Sequence, residues 1–278
     1  MSERNHTFVI CAYGNSPYLE SCIQSLLSQT VRTKIVMSAS EPEVSVISLA
    51  EKYHIPLFVN KGEKGIAGDW NFALSCAETP LVTLAHQDDR YYKTYAEDVL
   101  AAFNTCCRPL LAFTDYNELR EGRTAESNRL LKIKRLMLSP LRLRFLQKSR
   151  FVRRRILSLG NPICCPSVTF VRENLPGFSF QNNMDSNIDW QAWEELSRRK
   201  GEFVYIPVPS MEHRIHPDSA TERRIWLCWR NSGEGAWRLL WSISTAAVKN
   251  PISFPERKAE KDSKEREDAG SIGDYSRI

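Results

Sequence analysis

The sequence predicts an α/β fold, a Rossmann-like, mostly parallel central sheet flanked by helices. Three observations predict it. Short continuous apolar runs recur as TFVICAY at 7–13, KIVM at 34–37, IPLFV at 55–59 and LVTLA at 81–85, the pattern of strands buried on both faces. Segments with apolar residues at helical spacing lie between them, so strand and helix alternate as in βαβ units. Each run also ends in polar or small residues, and ligands in such sheets bind beyond the carboxyl ends of the strands.

The elements follow in order. Gly14-Asn15-Ser16-Pro17 breaks the first strand, and Ser16 with Pro17 reads as a helix start. Leu19, Cys22, Ile23, Leu26 and Leu27 then share one helical face. The second strand ends in Ser38-Ala39-Ser40, and Pro42 opens a helix with Val44, Ile47 and Ala50 expected inward. A Gly-rich loop at 60–68 follows the third strand, with a helix from about Asp69. The fourth strand runs into His86-Gln87-Asp88-Asp89. A helix capped by Thr94 precedes a strand at 110–113. Further on, 167–171 and 202–206 read as strands and 189–199 as a helix. Residues 221–248 read as helical, with Trp226, Trp229, Trp237 and Trp241. The expected organisation is one domain over 1–220, a helical C-terminal extension over 221–254 and a disordered charged tail over 255–278.

Composition narrows the function classes. With 278 residues, 42% hydrophobic, 26% charged and 12 Gly, the chain is neither a disordered polyelectrolyte, a collagen repeat nor a multi-span membrane protein. No apolar stretch approaches the length of a membrane span, and the first residues lack a signal core. A cytoplasmic protein, peripheral on the inner face of the cell membrane, is the expectation. The eight Cys include no C-x-x-C pair and fall within apolar runs, which favours reduced, packed thiols over a structural zinc.

The topological rule singles out Ala12–Asn15, Ser38–Ser40, Asn60–Gly68 and His86–Asp89 as one composite site. Asp88 and Asp89 at a strand end suit a hard divalent cation, and they suit an ordinary turn cap as well. The segment 127–160 is different in kind. No acidic residue lies between Ser127 and Arg172, against twelve Lys and Arg. Leu130, Leu131, Ile133, Leu136, Met137 and Leu138 alternate with the cations, and Pro140 divides the stretch. Such a basic amphipathic insertion suits an anionic membrane surface. Nucleic acid is not expected, since the stretch lacks aromatic residues interleaved for base stacking.

Five segments, FVICAYGNSPYLESCIQSLLSQT, GIAGDWNFAL, LAHQDD, NIDWQAWEEL and FVYIPVPSMEHRIHPDSAT, occur in order across about residues 7–220. Together they resemble glycosyltransferase family 2, inverting nucleotide-sugar transferases of the GT-A fold. The resemblance implies metal-dependent transfer of a sugar from a nucleotide-sugar, a UDP-sugar, to an acceptor hydroxyl. The implied product is a cell-surface polysaccharide or a lipid-linked oligosaccharide. Ala12 and Tyr13 would line the nucleobase pocket, and Ser38 to Ser40 occupy the place where many members carry an acid. Asp69 and Asn71 would contact base and ribose, although Asp69 also reads as a helix N-cap. His86-Gln87-Asp88-Asp89 matches the acidic metal motif with its first acid replaced by His86. Asp88 and Asp89 would bind Mn²⁺ or Mg²⁺, Asp88 beside the nucleotide, with His213 as a further ligand and Arg214 on the diphosphate. His216 is a lesser candidate. Asp189 matches the catalytic base, with helix capping as its plain alternative and Asp185 as its rival. Two other functions are compatible with parts of the pattern: a non-catalytic nucleotide- or membrane-binding scaffold of a polysaccharide assembly complex, and a nucleotidyltransferase.

Overall fold

The computed structural model describes residues 5–184 and 187–216. The extension expected at 221–254, the tail at 255–278 and Asp185 lie outside them. The first half is the anticipated alternation of strands and helices. β1 (His6–Cys11) pairs in parallel with β2 (Lys34–Ala39) and with β4 (Leu81–His86), and β2 pairs in parallel with β3 (Leu57–Val59). The crossovers are α1 (Leu19–Leu27), α2 (Val44–Lys52) and α3 (Ile66–Cys76).

The sheet then continues as a mixed array. β8 (Val168–Val171) runs antiparallel between β4 and β6 (Pro109–Arg120). β6 pairs in parallel with β9 (Glu202–Ile215) from Pro109↔Glu202 to Arg120↔Ile215, with irregularities around Asp115. β5 (Arg90–Tyr91) adds to β9 and β7 (Arg123–Ala125) to β6. The order across the sheet is β3-β2-β1-β4-β8-β6-β9-β5.

Alternation along the strands divides the core into two layers. Phe8 and Ile10 point to one face, where Leu19, Ile23, Val46 and Val99 cover them; Val99 belongs to α4 (Tyr95–Phe103). Val9, Val82 and Leu84 point to the other, against Ala67, Ala73 and Trp193, the last from α8 (Ile188–Arg198). The basic segment forms α5 (Arg129–Leu138), a four-residue α6 (Arg144–Gln147) and α7 (Arg150–Leu157). Each sends residues inward, among them Leu131, Leu138, Gln147, Arg153 and Ile156.

Several details differ from the expectation. α2 buries Val46 and Ala50 while Val44 is 77% exposed and Ile47 is exposed too, because this outer helix buries only a narrow stripe. α3 begins three residues before Asp69, with Gly65 at its N-cap. The strands expected at 110–113 and 202–206 are the N-terminal parts of the two longest strands, of 12 and 14 residues. Among the described residues, no helix is long and apolar enough to cross a membrane. The seven cysteines among them are all free, and Cys22, Cys164 and Cys165 are buried.

His6 starts β1 with no exposed surface. Its Nε2 lies 2.8 Å from the Thr83 hydroxyl, and its Nδ1 is buried without a partner. Burial lowers its pKa from 6.5 to about 3. Above pH 6.5 the ring is neutral in both folded and unfolded chains and contributes no pH dependence. Below it the unfolded chain takes a proton that the native state refuses until about pH 3. Stability should therefore fall as the pH drops through this window, by about 2 kcal/mol from this ring at pH 5. Urea unfolding of wild type and His6→Gln at pH 7 and pH 5 checks this: the variant should lose less stability between the two.

Candidate active site

The carboxyl ends of β1, β2, β3 and β4 lie side by side, and the residues singled out there fall on one rim. β1 stops at Cys11, so Ala12 and Tyr13 leave the sheet. The Ala12 N–H donates to the Ser38 carbonyl at 2.8 Å. Tyr13 is 81% exposed, and its backbone is clamped by the Gln87 side chain: its N–H donates to Oε1 at 3.0 Å and its carbonyl accepts from Nε2 at 2.7 Å. Ser38 is buried. Ser40 bonds through its hydroxyl to the Asp69 carboxylate. Asn60 donates to the same Asp69 oxygen at 2.9 Å and to the Glu63 carbonyl at 2.9 Å, and its Oδ1 accepts from the Gly62 N–H. Asp69 is thus held by β2 and the loop after β3, and it does not cap its own helix. Gly68, one residue before, lies against the Glu63 backbone, and an added Cβ would run into that carbonyl. Asn71 is committed elsewhere: it donates to the Phe180 carbonyl at 2.9 Å and accepts from the Phe180 N–H at 2.7 Å, fastening α3 to the chain before α8.

The end of β4 meets the end of β9. Asp89 is 1% exposed. Its Oδ1 accepts from the Arg214 N–H at 2.8 Å and lies 3.0 Å from His213 Nδ1, while its Oδ2 is buried with no partner. Asp88 is partly exposed; its Oδ2 lies 3.1 Å from His216 Nε2, and its carbonyl accepts from Arg214 Nε at 2.8 Å. The Arg214 guanidinium lies over the Tyr18 ring at 4.2 Å, and Tyr18 also packs on His216. His86 stacks on Trp70, with ring centroids 5.4 Å apart, and its Nε2 is buried without a partner. Burial lowers the His86 pKa, so the ring is neutral despite the nearby carboxylates. Burial also opposes charge on His213, but Asp89 outweighs it, and the His213 pKa is raised. The ligand set Asp88, Asp89 and His213 is not gathered as three convergent donors. Among the described residues, no three His, Cys, Asp or Glu side chains form a group that could hold a metal ion, since the acids pair one by one with His213, Arg214 and His216.

Asp189 comes from the first turn of α8, two residues after the N-cap Asn187, whose φ of 58° is left-handed and whose side chain makes no capping bond. Its Oδ2 accepts from Asn161 Nδ2 at 2.7 Å. Burial raises its pKa, partly offset by the Trp190 backbone, Asn161, Lys134 and His86. Asp89, Asp88 and Asp189 all act on the His86 ring, so residues a hundred positions apart share one electrostatic neighbourhood. Beneath it lie Cys164 and Cys165, buried thiols whose pKa values burial drives well above normal.

Several residues of this constellation are not signalled by the sequence pattern. Lys134, from α5, donates to the Tyr116 hydroxyl at 2.9 Å, and its charge reaches Asp189 and His213. Tyr18, Trp70, Gln87 and Asn161 join it. Gln87 alone carried a local signal, its place inside the HQDD motif.

The chain matches the model of the glycosyl transferase family 2 over residues 7–175. The mixed sheet with its parallel N-terminal half is that of the GT-A fold, shared with solved structures at low sequence identity. TarS residues 1–349 from S. aureus, solved with UDP-GlcNAc, is 13% identical and superposes with a TM-score of 0.59 over 88% of this chain and 71% of that one. The mannosyltransferase PcManGT from Pyrobaculum calidifontis, with GDP-Man and Mn²⁺, is 14% identical, with a TM-score of 0.55 over 88% and 68%. Glucosyl-3-phosphoglycerate synthase from Mycobacterium tuberculosis, with Mn²⁺ and UDP-glucose, is 14% identical, with a TM-score of 0.51 over 84% and 81%. No curated protein matches the chain. The chain belongs to glycosyl transferase family 2 and is a glycosyltransferase.

The Asp89–His213 pair makes a direct prediction. With Asp89→Asn the main charge that raises the His213 pKa is gone, and burial, aided by Lys134 and only weakly opposed by Glu118, dominates. The His213 ring, followed by NMR in metal-free protein, should titrate below its wild-type value and below 6.5.

Proposed function

We propose that the enzyme transfers a sugar from a UDP-sugar to an acceptor hydroxyl with inversion at the anomeric carbon, assisted by a divalent cation. The observation that carries this reading is the pairing of two kinds of carboxylate around His86: Asp189, raised in pKa, and Asp89, ionically paired on one oxygen only. Direct displacement needs a base for the incoming hydroxyl and positive charge for the departing diphosphate. The neighbours solved with UDP-GlcNAc, GDP-Man and UDP-glucose support a nucleotide-sugar donor.

In this mechanism the acceptor oxygen attacks the anomeric carbon as the bond to the diphosphate oxygen breaks, and Asp189 takes the hydroxyl proton. Burial brings the Asp189 pKa closer to neutrality than an ordinary carboxylate, which strengthens it as a base. Asn161 holds the carboxylate in place. The exposed Tyr13 ring offers a face for the nucleobase, with Ala12 buried beside it, and Ser40 and Asp69 offer polar groups at the mouth of the β2–β3 side. Arg214, fixed over Tyr18, supplies positive charge beside Asp88. The unpartnered Oδ2 of Asp89 and the carboxylate of Asp88 are the oxygen donors that would hold Mn²⁺ or Mg²⁺, with no third ligand gathered beside them among the described residues. A divalent cation held there would supply positive charge for the departing diphosphate. The acceptor belongs to a cell-surface polysaccharide or a lipid-linked oligosaccharide.

Release of nucleoside diphosphate across a panel of nucleotide-sugars, with Mn²⁺ and with Mg²⁺, tests the reading; no release from any donor would leave a non-catalytic binding protein. Asp189→Asn should lower turnover by at least about 100-fold with donor affinity, measured calorimetrically, preserved. Changing Asp88 and Asp89 together should weaken metal-dependent donor binding.

Asn161→Ala gives a subtler outcome. Its hydrogen bond favours the ionised Asp189, so its loss raises the Asp189 pKa further. The base must be deprotonated to act. The acid limb of the pH–rate profile should therefore move to higher pH in the variant, and an unmoved limb would assign that limb to another group.

A further inference from the structure

The basic segment shows an outer surface that the catalytic reading does not use. α5 turns Leu131 and Leu138 inward and Lys134 toward Tyr116, while Ile133 is exposed and Leu136 is 72% exposed. By helical geometry Arg129, Lys132, Ile133 and Leu136 share the outward face. α7 repeats the arrangement. It buries Arg153, Ile156 and Leu157 and presents Phe151, 79% exposed, between Arg150, Arg154 and Arg155. Between the two helices, Leu143 and Phe145 are exposed, Phe145 at 69%, next to Arg142 and Arg144. Large apolar side chains standing out among cations on three successive elements are not a solvated charged face, where such side chains would be turned inward.

We propose that this surface binds an anionic phospholipid bilayer, with Leu136, Phe145 and Phe151 entering the interface and the Arg and Lys side chains on lipid phosphates. Charge complementarity names the occupant's sign: no acid between Ser127 and Arg172 against twelve Lys and Arg. The apolar side chains name its nature. A soluble polyanion would pair with the cations alone and leave two phenylalanines in water, whereas a bilayer interface takes both, each cation near the surface adding to the attraction.

The placement also has a consequence for the acceptor, and here the proposal rests on the transferase reading above. The segment contacts the site at both of its ends: Lys134 reaches Tyr116 and acts on Asp189, and Asn161, just beyond α7, holds the Asp189 carboxylate. The segment that meets the bilayer with its outer side thus also positions the base with its inner side, which would keep the site close to the membrane surface. The acceptor class it fits is a saccharide on a lipid carrier.

The full-length protein is sedimented with vesicles of phosphatidylcholine alone and of phosphatidylcholine and phosphatidylglycerol in equal parts, at low salt and at about 0.5 M salt. Binding to the anionic vesicles only, weakened by salt, is the expected result. Leu136→Ser, Phe145→Ser and Phe151→Ser combined should lower vesicle affinity by at least about tenfold, as should Lys132→Glu, Arg150→Glu and Arg155→Glu combined. Both variants should keep the wild-type circular dichroism and the wild-type rate of donor hydrolysis in solution. No binding to anionic vesicles overturns the proposal. So does binding that the serine variant leaves unchanged while soluble polyphosphate or RNA competes, which would mark a polyanion site. A dimer that the serine variant dissociates, without vesicle binding by the wild type, would assign the face to a second copy. Vesicle binding is read without donor, so its failure leaves nucleoside diphosphate release to judge the transferase reading separately.

Discussion

The Asp89 carboxylate joins the two halves of the sheet. It sits where β4, the last strand of the parallel block, gives out, and it accepts the Arg214 N–H at 2.8 Å and faces His213 Nδ1 at 3.0 Å from the far end of β9. A charge 1% exposed is costly unless paired, and hydrogen bonds to a charged group contribute about 1.5–3 kcal/mol each. That demand fixes where the long β9 strand must finish. It also fixes Arg214, which is then free to lie over Tyr18 and to bond the Asp88 carbonyl. One buried acid therefore sets the spacing of the cationic and acidic groups across the whole rim.

The opposite wall is held from behind. Arg153 is buried in α7 and donates to the carbonyls of Ser197, Arg199 and Gly201, with its guanidinium over the Phe203 ring at 4.7 Å. Those carbonyls belong to the last turn of α8 and the turn beyond it, where a cation also meets the negative end of the helix. Gly201 has a φ of 141° and leaves no room for a Cβ beside Leu110 and the Arg108 carbonyl. α8 is thus pinned at its C-terminus by α7 and at its N-terminus by the Asn161–Asp189 bond just beyond α7. The stretch from α5 to Asn161 reads in sequence as an insertion, yet its inner side sets the position of Asp189.

The parallel half of the fold was legible because a strand buried on both faces must be apolar throughout, and such runs stand out. β6 and β9 were legible only over their apolar N-terminal parts. Their extensions carry Asp115, Asn117, Glu118 and Glu212, all buried, and a polar residue becomes buriable only through distant partners, as Glu212 does with Tyr92 and Thr124. The same reason hid part of the site. Asp88, Asp89 and Asp189 announce themselves by position at a strand end or helix start. Trp70 looks like any aromatic on an amphipathic helix until His86 is seen stacked on it, and Lys134 looks like one cation among many. Asn71 shows the converse: its place near the Gly-rich loop suggests a ligand contact, but both ends of its amide are taken by the Phe180 backbone.

His86 in place of an acid changes the electrostatics of the rim in a definite direction. Asp88, Asp89 and Asp189 already act on one small volume, and a fourth carboxylate there would add repulsion that only a tightly held cation could relieve. An imidazole kept neutral by burial adds no charge and retains a nitrogen lone pair, with the ring plane set by Trp70. Were that nitrogen to join Asp88 and Asp89 around a cation, it would favour Mn²⁺, which accepts imidazole more readily, over Mg²⁺, a seeker of oxygen ligands. With less negative field to draw it in, a cation here would depend more on the oxygens of a bound diphosphate. Metal and donor should bind this site as a pair, each raising the affinity of the other.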